Sequence, residues 1–241
     1  MIPVVSCDDN TLETVSTPWG TYYAVLFENA VGIRMDMTDY NDTLIYEYGK
    51  MLGQFHFLSS NYKPQIRKWS HTEVLAWIGK VLSEHQNQNA VFKELEDIEK
   101  QLSLLPMTKE IYGLVHYDFE PDNLFYNSTE NKITVIDFDD SMYNWYGLDI
   151  EQALDSIADE LQDSRYEQAK EQFLAGYKSV YSLPENVINS FPLFRRFINL
   201  YSYARLLRSI EDRWEYEPEW LAGLRAKLTN ALAIKLNSFS Y

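Results

Sequence analysis

Positive charge is what this chain has least of. Its 241 residues hold 21 Lys and Arg against 36 Asp and Glu, a formal charge of -15, which removes the basic surface that a nucleic-acid partner requires. Cysteine occurs once, as Cys7, so neither an intrachain disulfide nor a cysteine-based metal framework can form; this usage fits a reducing cytoplasm. Apolar runs are short as well. None approaches the ~18 residues of a membrane span, and the amino terminus lacks a basic-then-apolar signal pattern, which points away from a membrane partner. What is present suffices for a packed core: hydrophobic residues make up 46% and aromatic residues 15%, in a chain long enough for one large domain or two small ones.

The chemistry concentrates between Leu114 and Asp140, LVHYDFEPDNLFYNSTENKITVIDFDD. His116, Asp118, Asn123 and Asp137 stand in the order H-x-D-x-x-x-x-N…D-F-D. An apolar run, Ile111 to Val115, leads into the first three. A hairpin pattern follows: Leu124 to Tyr126, a polar turn at Ser128–Lys132, then Ile133 to Ile136. It returns Asp137 to the side of Asn123. A hard cation such as Mg²⁺ takes carboxylate and amide oxygens and keeps positions for phosphate and water, so Asn123 and Asp137 are the candidate metal ligands. Asp118 is placed to accept a proton from an attacking hydroxyl, the role of the catalytic-loop Asp in phosphoryl transfer. Turn capping would explain any one of these residues alone. Four in this order, flanked by apolar strands, favour the catalytic reading.

On these residues the chain resembles the aminoglycoside phosphotransferase and choline kinase-like family, whose fold is similar to that of protein kinases. The resemblance spans most of the chain and is strongest from Leu114 to Ile150. Three positions depart from the usual patterns: Tyr117 stands where the family usually has Gly, Asp140 follows Asp137-Phe138-Asp139, and Glu120 replaces the Lys common in protein kinases. The last favours a small-molecule kinase. The resemblance implies an α+β, protein kinase-like fold, with a partial antiparallel β lobe and hinge over residues 1–31 on a mostly helical lobe over 32–241. It implies ATP and Mg²⁺ as cofactors and adenine contacts from Glu28 and Ala30 at the hinge. It also implies that His116 shapes the loop and that Asp149 braces it by accepting backbone N–H groups; of Asp139 and Asp140, one is expected to support the metal site, with Asp139 the candidate, and the other to be simply exposed. For Asp149 a helix N-cap is the bland alternative.

Against that family a second shortage appears. No Gly-rich stretch, strand Lys or helix precedes Thr21, and the first lysine is Lys50, so the amino-terminal lobe reads as about half a lobe. Whether this is natural or a boundary effect stays open. The leading expectation is ATP-dependent phosphorylation of a hydroxyl on a small molecule, with little or no activity expected of this chain by itself because the phosphate-gripping parts are missing. The competing expectation is a non-catalytic binding protein that keeps only the lower-lobe residues.

Local patterns supply the remaining elements. Glu13–Val15, the turn Thr17–Gly20 and Thr21–Phe27 predict a hairpin, its second strand apolar on both faces and therefore buried. Helical spacing runs over 39–59, from a Ser70/Glu73 capping box through Leu82, and over 89–104. Further helices are expected over 149–161, 164–181, 184–210 and 218–238. His56 reads as packed or surface without a role, and His71 and His85 as exposed. Two acidic stretches, Asp149–Glu171 and Glu211–Glu219, the second carrying Trp214 and Tyr216 and followed by Trp220, suit an amine-bearing acceptor through ion pairing and cation–π contact. Solvated faces of ordinary amphipathic helices explain the same residues and are the favoured account of them.

Overall fold

The computed structural model describes residues 2–161, 163–211, 216 and 218–239. Its first strands are short: β1 (Pro3–Val4), β2 (Glu13–Thr17), β3 (Gly20–Ala24) and β4 (Leu26–Phe27). β1 pairs with β4 and β2 with β3, all antiparallel. The β2–β3 turn closes through Gly20, whose φ of 136° suits a residue without Cβ. The buried strand expected over 21–27 is not found. It divides into β3 and β4, and every residue of both is exposed, because neither joins the packed core.

β5 (Ile33–Arg34) and a short 3₁₀ turn at Met35–Met37 lead into α1 (Asp42–Ser59), which starts at Asn41, whose side chain accepts from Leu44 N–H at 3.0 Å. α2 (His71–Ser83) opens on the expected Ser70/Glu73 capping box, and α3 (Asn89–Leu102) carries Leu95, Ile98 and Leu102 inward. β6 (Tyr112–Val115), the hairpin strands β7 (Leu124–Asn127) and β8 (Lys132–Val135), and β9 (Met142–Trp145) come next. They form two small sheets, β5-β7-β8 and β6-β9.

The rest is helical: α4 (Tyr146–Glu160), α5 (Asp163–Lys178), α6 (Glu185–Ile188), α7 (Phe191–Ser209) and α8 (Glu219–Asn237). The single helix expected over 184–210 is two, because Pro192 cannot donate within a continuing helix and instead sits in the first turn of α7. α1 and α5 pack backbone to backbone. A Cβ on Gly49 would lie 1.9 Å from Phe173 O, and one on Gly176 would lie 1.9 Å from Tyr46 O. Around this pair sits one apolar core that includes Leu44, Tyr48, Ile78, Phe119, Leu124, Trp145, Phe173 and Phe194. It presents the end of β6, the β7–β8 hairpin and the start of α4 to one another.

Candidate active site

The loop after β6 is fixed from below by a buried carboxylate. Asp149 is fully buried. Its Oδ2 accepts from His116 N–H at 2.8 Å and its Oδ1 from Tyr117 N–H at 2.9 Å. Asp149 lies inside the first turns of α4, whose N-cap is Trp145, so the N-cap alternative does not hold. A third partner comes from α1: His56 Nε2 lies 3.2 Å from Asp149 Oδ2, and His56 Nδ1 lies 2.9 Å from the Tyr177 hydroxyl. Burial lowers the His56 pKa against the opposing pull of Asp149, so the ring is neutral, donating from Nε2 and accepting at Nδ1.

The His116 ring is enclosed. Its Nε2 donates to Ile136 O at 2.9 Å, while its Nδ1 accepts from Asp118 N–H at 3.3 Å. It thereby ties the loop to the far end of the hairpin. Tyr117 adopts φ 66°, a left-handed conformation costly for a bulky residue, and its buried ring packs 5.1 Å from that of Tyr201 on α7. Asn123 Nδ2 donates to Asp118 Oδ2 at 2.7 Å and to Asp118 O at 3.0 Å. Asp118 is half-buried. Desolvation raises its pKa, the Asn123 bond opposes that, and Asp122 and Asp140 add to the rise.

Register returns Asp137 to this group. β7 and β8 pair Leu124 with Val135, and Ile136 N–H donates to Asn123 O at 3.0 Å, so Asp137 emerges next to Asn123 with an exposed carboxylate. Because Asn123 turns its nitrogen toward Asp118, its Oδ1 is left over. One amide oxygen and one exposed carboxylate suit a hard divalent cation that keeps water and phosphate ligands. Among the described residues no group of three or more His, Cys, Asp and Glu gathers as a metal site.

The neighbouring loop is held by cations that the sequence did not reveal. Lys68, between α1 and α2, donates to Phe138 O at 2.8 Å and Asp139 O at 2.9 Å. Arg205 on α7 donates to Asp140 Oδ2 at 2.7 Å. Asp139 is exposed, with its N–H 3.5 Å from Asp137 Oδ1. A cleft of about 610 Å³ has Glu28 and Ala30 on one side and Asp137 and Asp139 on the other, over Phe125, Val135 and Ile136. No basic side chain lines it among the described residues.

A second, larger cleft of about 870 Å³ opens beyond the loop, between Glu120, α4, α5, α7 and the end of α8. Glu151, Asp155 and Asp159 of the first acidic stretch line it. Of the second stretch, the described Glu211, Tyr216 and Glu219, with Trp220 after it, lie outside that lining, while Asp212, Trp214, Glu215 and Glu217 fall outside the described residues. His56 is packed, in keeping with one of the two readings given for it, whereas His71, expected exposed, is buried and His85 is half-buried. His71 is drawn in by Tyr112, whose hydroxyl lies 2.8 Å from Nδ1. No local signal marks His56 as a partner of Asp149, since the two meet only when α1 crosses α4.

A kinase-like site on an α+β fold defines the class, and the chain belongs to the phosphotransferase enzyme family, whose profile matches residues 28–183. It is 31% identical to the amicoumacin kinase of Bacillus subtilis (strain 168) over 235 residues, covering 92% of this chain and 68% of that protein. An amicoumacin kinase solved with AMP-PNP, Ca²⁺ and Ami superposes at a TM-score of 0.80 with 21% identity, covering 98% of this chain and 70% of the other. A microcompartment-associated aminopropanol kinase gives a TM-score of 0.62 at 20% identity, over 98% and 73% of the two chains. The choline kinase of Streptococcus pneumoniae gives 0.57 at 14%, over 94% and 74%. These structures share the α+β fold.

Proposed function

We propose that the chain transfers the γ-phosphoryl group of ATP to a hydroxyl of a small, amine-bearing molecule. The observation that carries this reading is that Asp118, which lines neither cleft itself, connects to both through its neighbours. It is joined through Asn123 to the hairpin that ends in Asp137, and it stands two residues before Glu120, which lines the larger cleft. In this reading the 610 Å³ cleft takes the nucleotide, with Glu28 and Ala30 toward adenine. Asn123 and Asp137 hold Mg²⁺, which when bound neutralises phosphate charge. Asp118 orients the acceptor hydroxyl and takes its proton. The acceptor oxygen forms a bond to the γ-phosphorus, the bond to the β–γ bridging oxygen breaks, and ADP leaves. Asp149 and Asp139 act as supports, with residues 1–31 forming the upper wall and 32–241 the catalytic lobe. The similarity to amicoumacin, aminopropanol and choline kinases supports an amine-bearing acceptor.

The test is ATP turnover with Mg²⁺ and amino-alcohol acceptors. Asp118→Asn is expected to lower kcat by about 10²–10⁴-fold with KM for ATP nearly unchanged. Turnover preserved in Asp118→Asn would overturn the assignment. That no basic side chain among the described residues lines the nucleotide cleft favours a second reading, a non-catalytic binding protein, which predicts nucleotide or acceptor binding with no turnover in either form.

A further inference from the structure

Of the carboxylates that line the larger cleft, Asp155 and Asp159 are exposed to water, and among the three withdrawn from it one stands apart. Glu94 is held by Arg196 through bonds of 2.7 and 2.8 Å, and Glu151 by Arg195 at 2.6 Å. The cleft's lysines are also engaged, Lys170 above the Tyr166 ring and Lys235 donating to Asn199. Glu120 differs. Its hydrogen bond comes from the neutral Gln152 Nε2, 3.3 Å away, and no Lys or Arg offsets the desolvation and the Asp118 charge that raise its pKa. Gln152 is itself 8% exposed and lines the same cleft, and its Oε1 is buried with no partner. A half-buried acid without a cation beside a buried amide oxygen without a donor is an incomplete hydrogen-bond set. An ammonium group completes both.

Backbone geometry sets how far that ammonium stands from the reacting hydroxyl. Glu120 follows Asp118 by two residues, so their Cα atoms are at most about 7 Å apart. Resting on the function proposed above, we infer that Glu120 and Gln152 form the ammonium subsite of the acceptor. The acceptor is then an amino alcohol whose amine lies two or three carbons from the hydroxyl held at Asp118. The ammonium N–H groups donate to the Glu120 carboxylate, and to Gln152 Oε1 once a small shift of the side chain uncovers it with Nε2 still on Glu120. Glu120 is the specificity-determining residue. Gln152 positions it and takes no part in bond making.

Ligand-observed NMR titrations of the full chain with 1-amino-2-propanol, 5-amino-1-pentanol and 1,2-propanediol test this. The short amino alcohol should bind at least about tenfold more tightly than either comparator. Glu120→Gln should erase that preference while leaving the diol unchanged, and Gln152→Leu should weaken it in part. If the amines outbind the diol but Glu120→Gln and Gln152→Leu leave their affinity intact, the subsite is wrong while the cationic-acceptor reading stands. If the diol binds as well as the amines, that reading fails and the subsite with it. Equal binding of the short and long amino alcohols overturns the spacing. Should Glu120→Gln not fold by circular dichroism, Gln152→Leu carries the same comparison.

Discussion

At the scale of single residues, the catalytic loop is held in a costly shape by two side chains, and each can be removed. Tyr117 stands at φ 66°. Gly in its place would relieve about 1–2 kcal/mol of left-handed strain, but it would also empty a buried ring site against Tyr201, and losing a large buried side chain costs about 3–5 kcal/mol. Packing wins. Tyr117→Gly is expected to destabilise the protein by roughly 2–3 kcal/mol, read from urea denaturation; a gain in stability would show that the strain dominates. Asp149 is a harsher case, because both its oxygens accept backbone N–H groups. In Asp149→Asn the amide nitrogen must face a donor, leaving a buried group unsatisfied at a cost of about 2–4 kcal/mol. Activity should fall with it as the loop relaxes. An Asn variant with wild-type stability and turnover would remove Asp149 from its bracing role.

At the scale of elements, the α1–α5 contact is the tightest test of packing. The Cβ of an alanine at Gly49 would meet the Phe173 carbonyl at 1.9 Å, and a backbone oxygen cannot swing aside as a side-chain end does. Gly49→Ala should therefore push the helices apart and cost about 2–3 kcal/mol, or roughly 5–10 °C in Tm. An unchanged Tm would mean the helices separate freely. The same contact shows what sequence reading could and could not reach. Helix spacing, the Ser70 capping box and the β7–β8 hairpin are local signals, legible because capping and alternation act over a few residues. So is the order His116, Asp118, Asn123, Asp137, which one hairpin brings together. Nothing local announces that Gly49 meets Phe173, that Lys68 reaches Phe138 and Asp139, or that His56 reaches Asp149. These are products of helix crossing. The amino-terminal strand misled for the opposite reason: an apolar pattern reports the capacity for burial, and among the described residues no layer packs on Thr21–Phe27.

For the whole molecule, the buried histidines tie stability to pH. His56 has its pKa lowered from 6.5, chiefly by burial, and burial takes His71 down to about 4. Both are neutral when folded and free to protonate when unfolded. As pH falls below the unfolded value near 6.5, the unfolded state binds more protons than the folded one, so stability falls with pH. Asp118, Glu120 and Glu151 act in the other direction. Burial raises their pKa values, so the folded state takes up their protons first and gains stability as pH falls into the carboxylate range. The two effects are separable at His56, whose two hydrogen bonds do not require a titrating ring. In His56→Gln an amide can donate to Asp149 and accept from Tyr177 without titrating. Urea denaturation at pH 7.5, 6.5 and 5.5 should show the wild type losing stability over that interval and His56→Gln losing less, with His71 accounting for the remainder. Identical slopes in the two proteins would mean that His56 is already charged in the folded state, paired as an imidazolium with Asp149, and the neutral tautomer drawn from its two hydrogen bonds would be wrong.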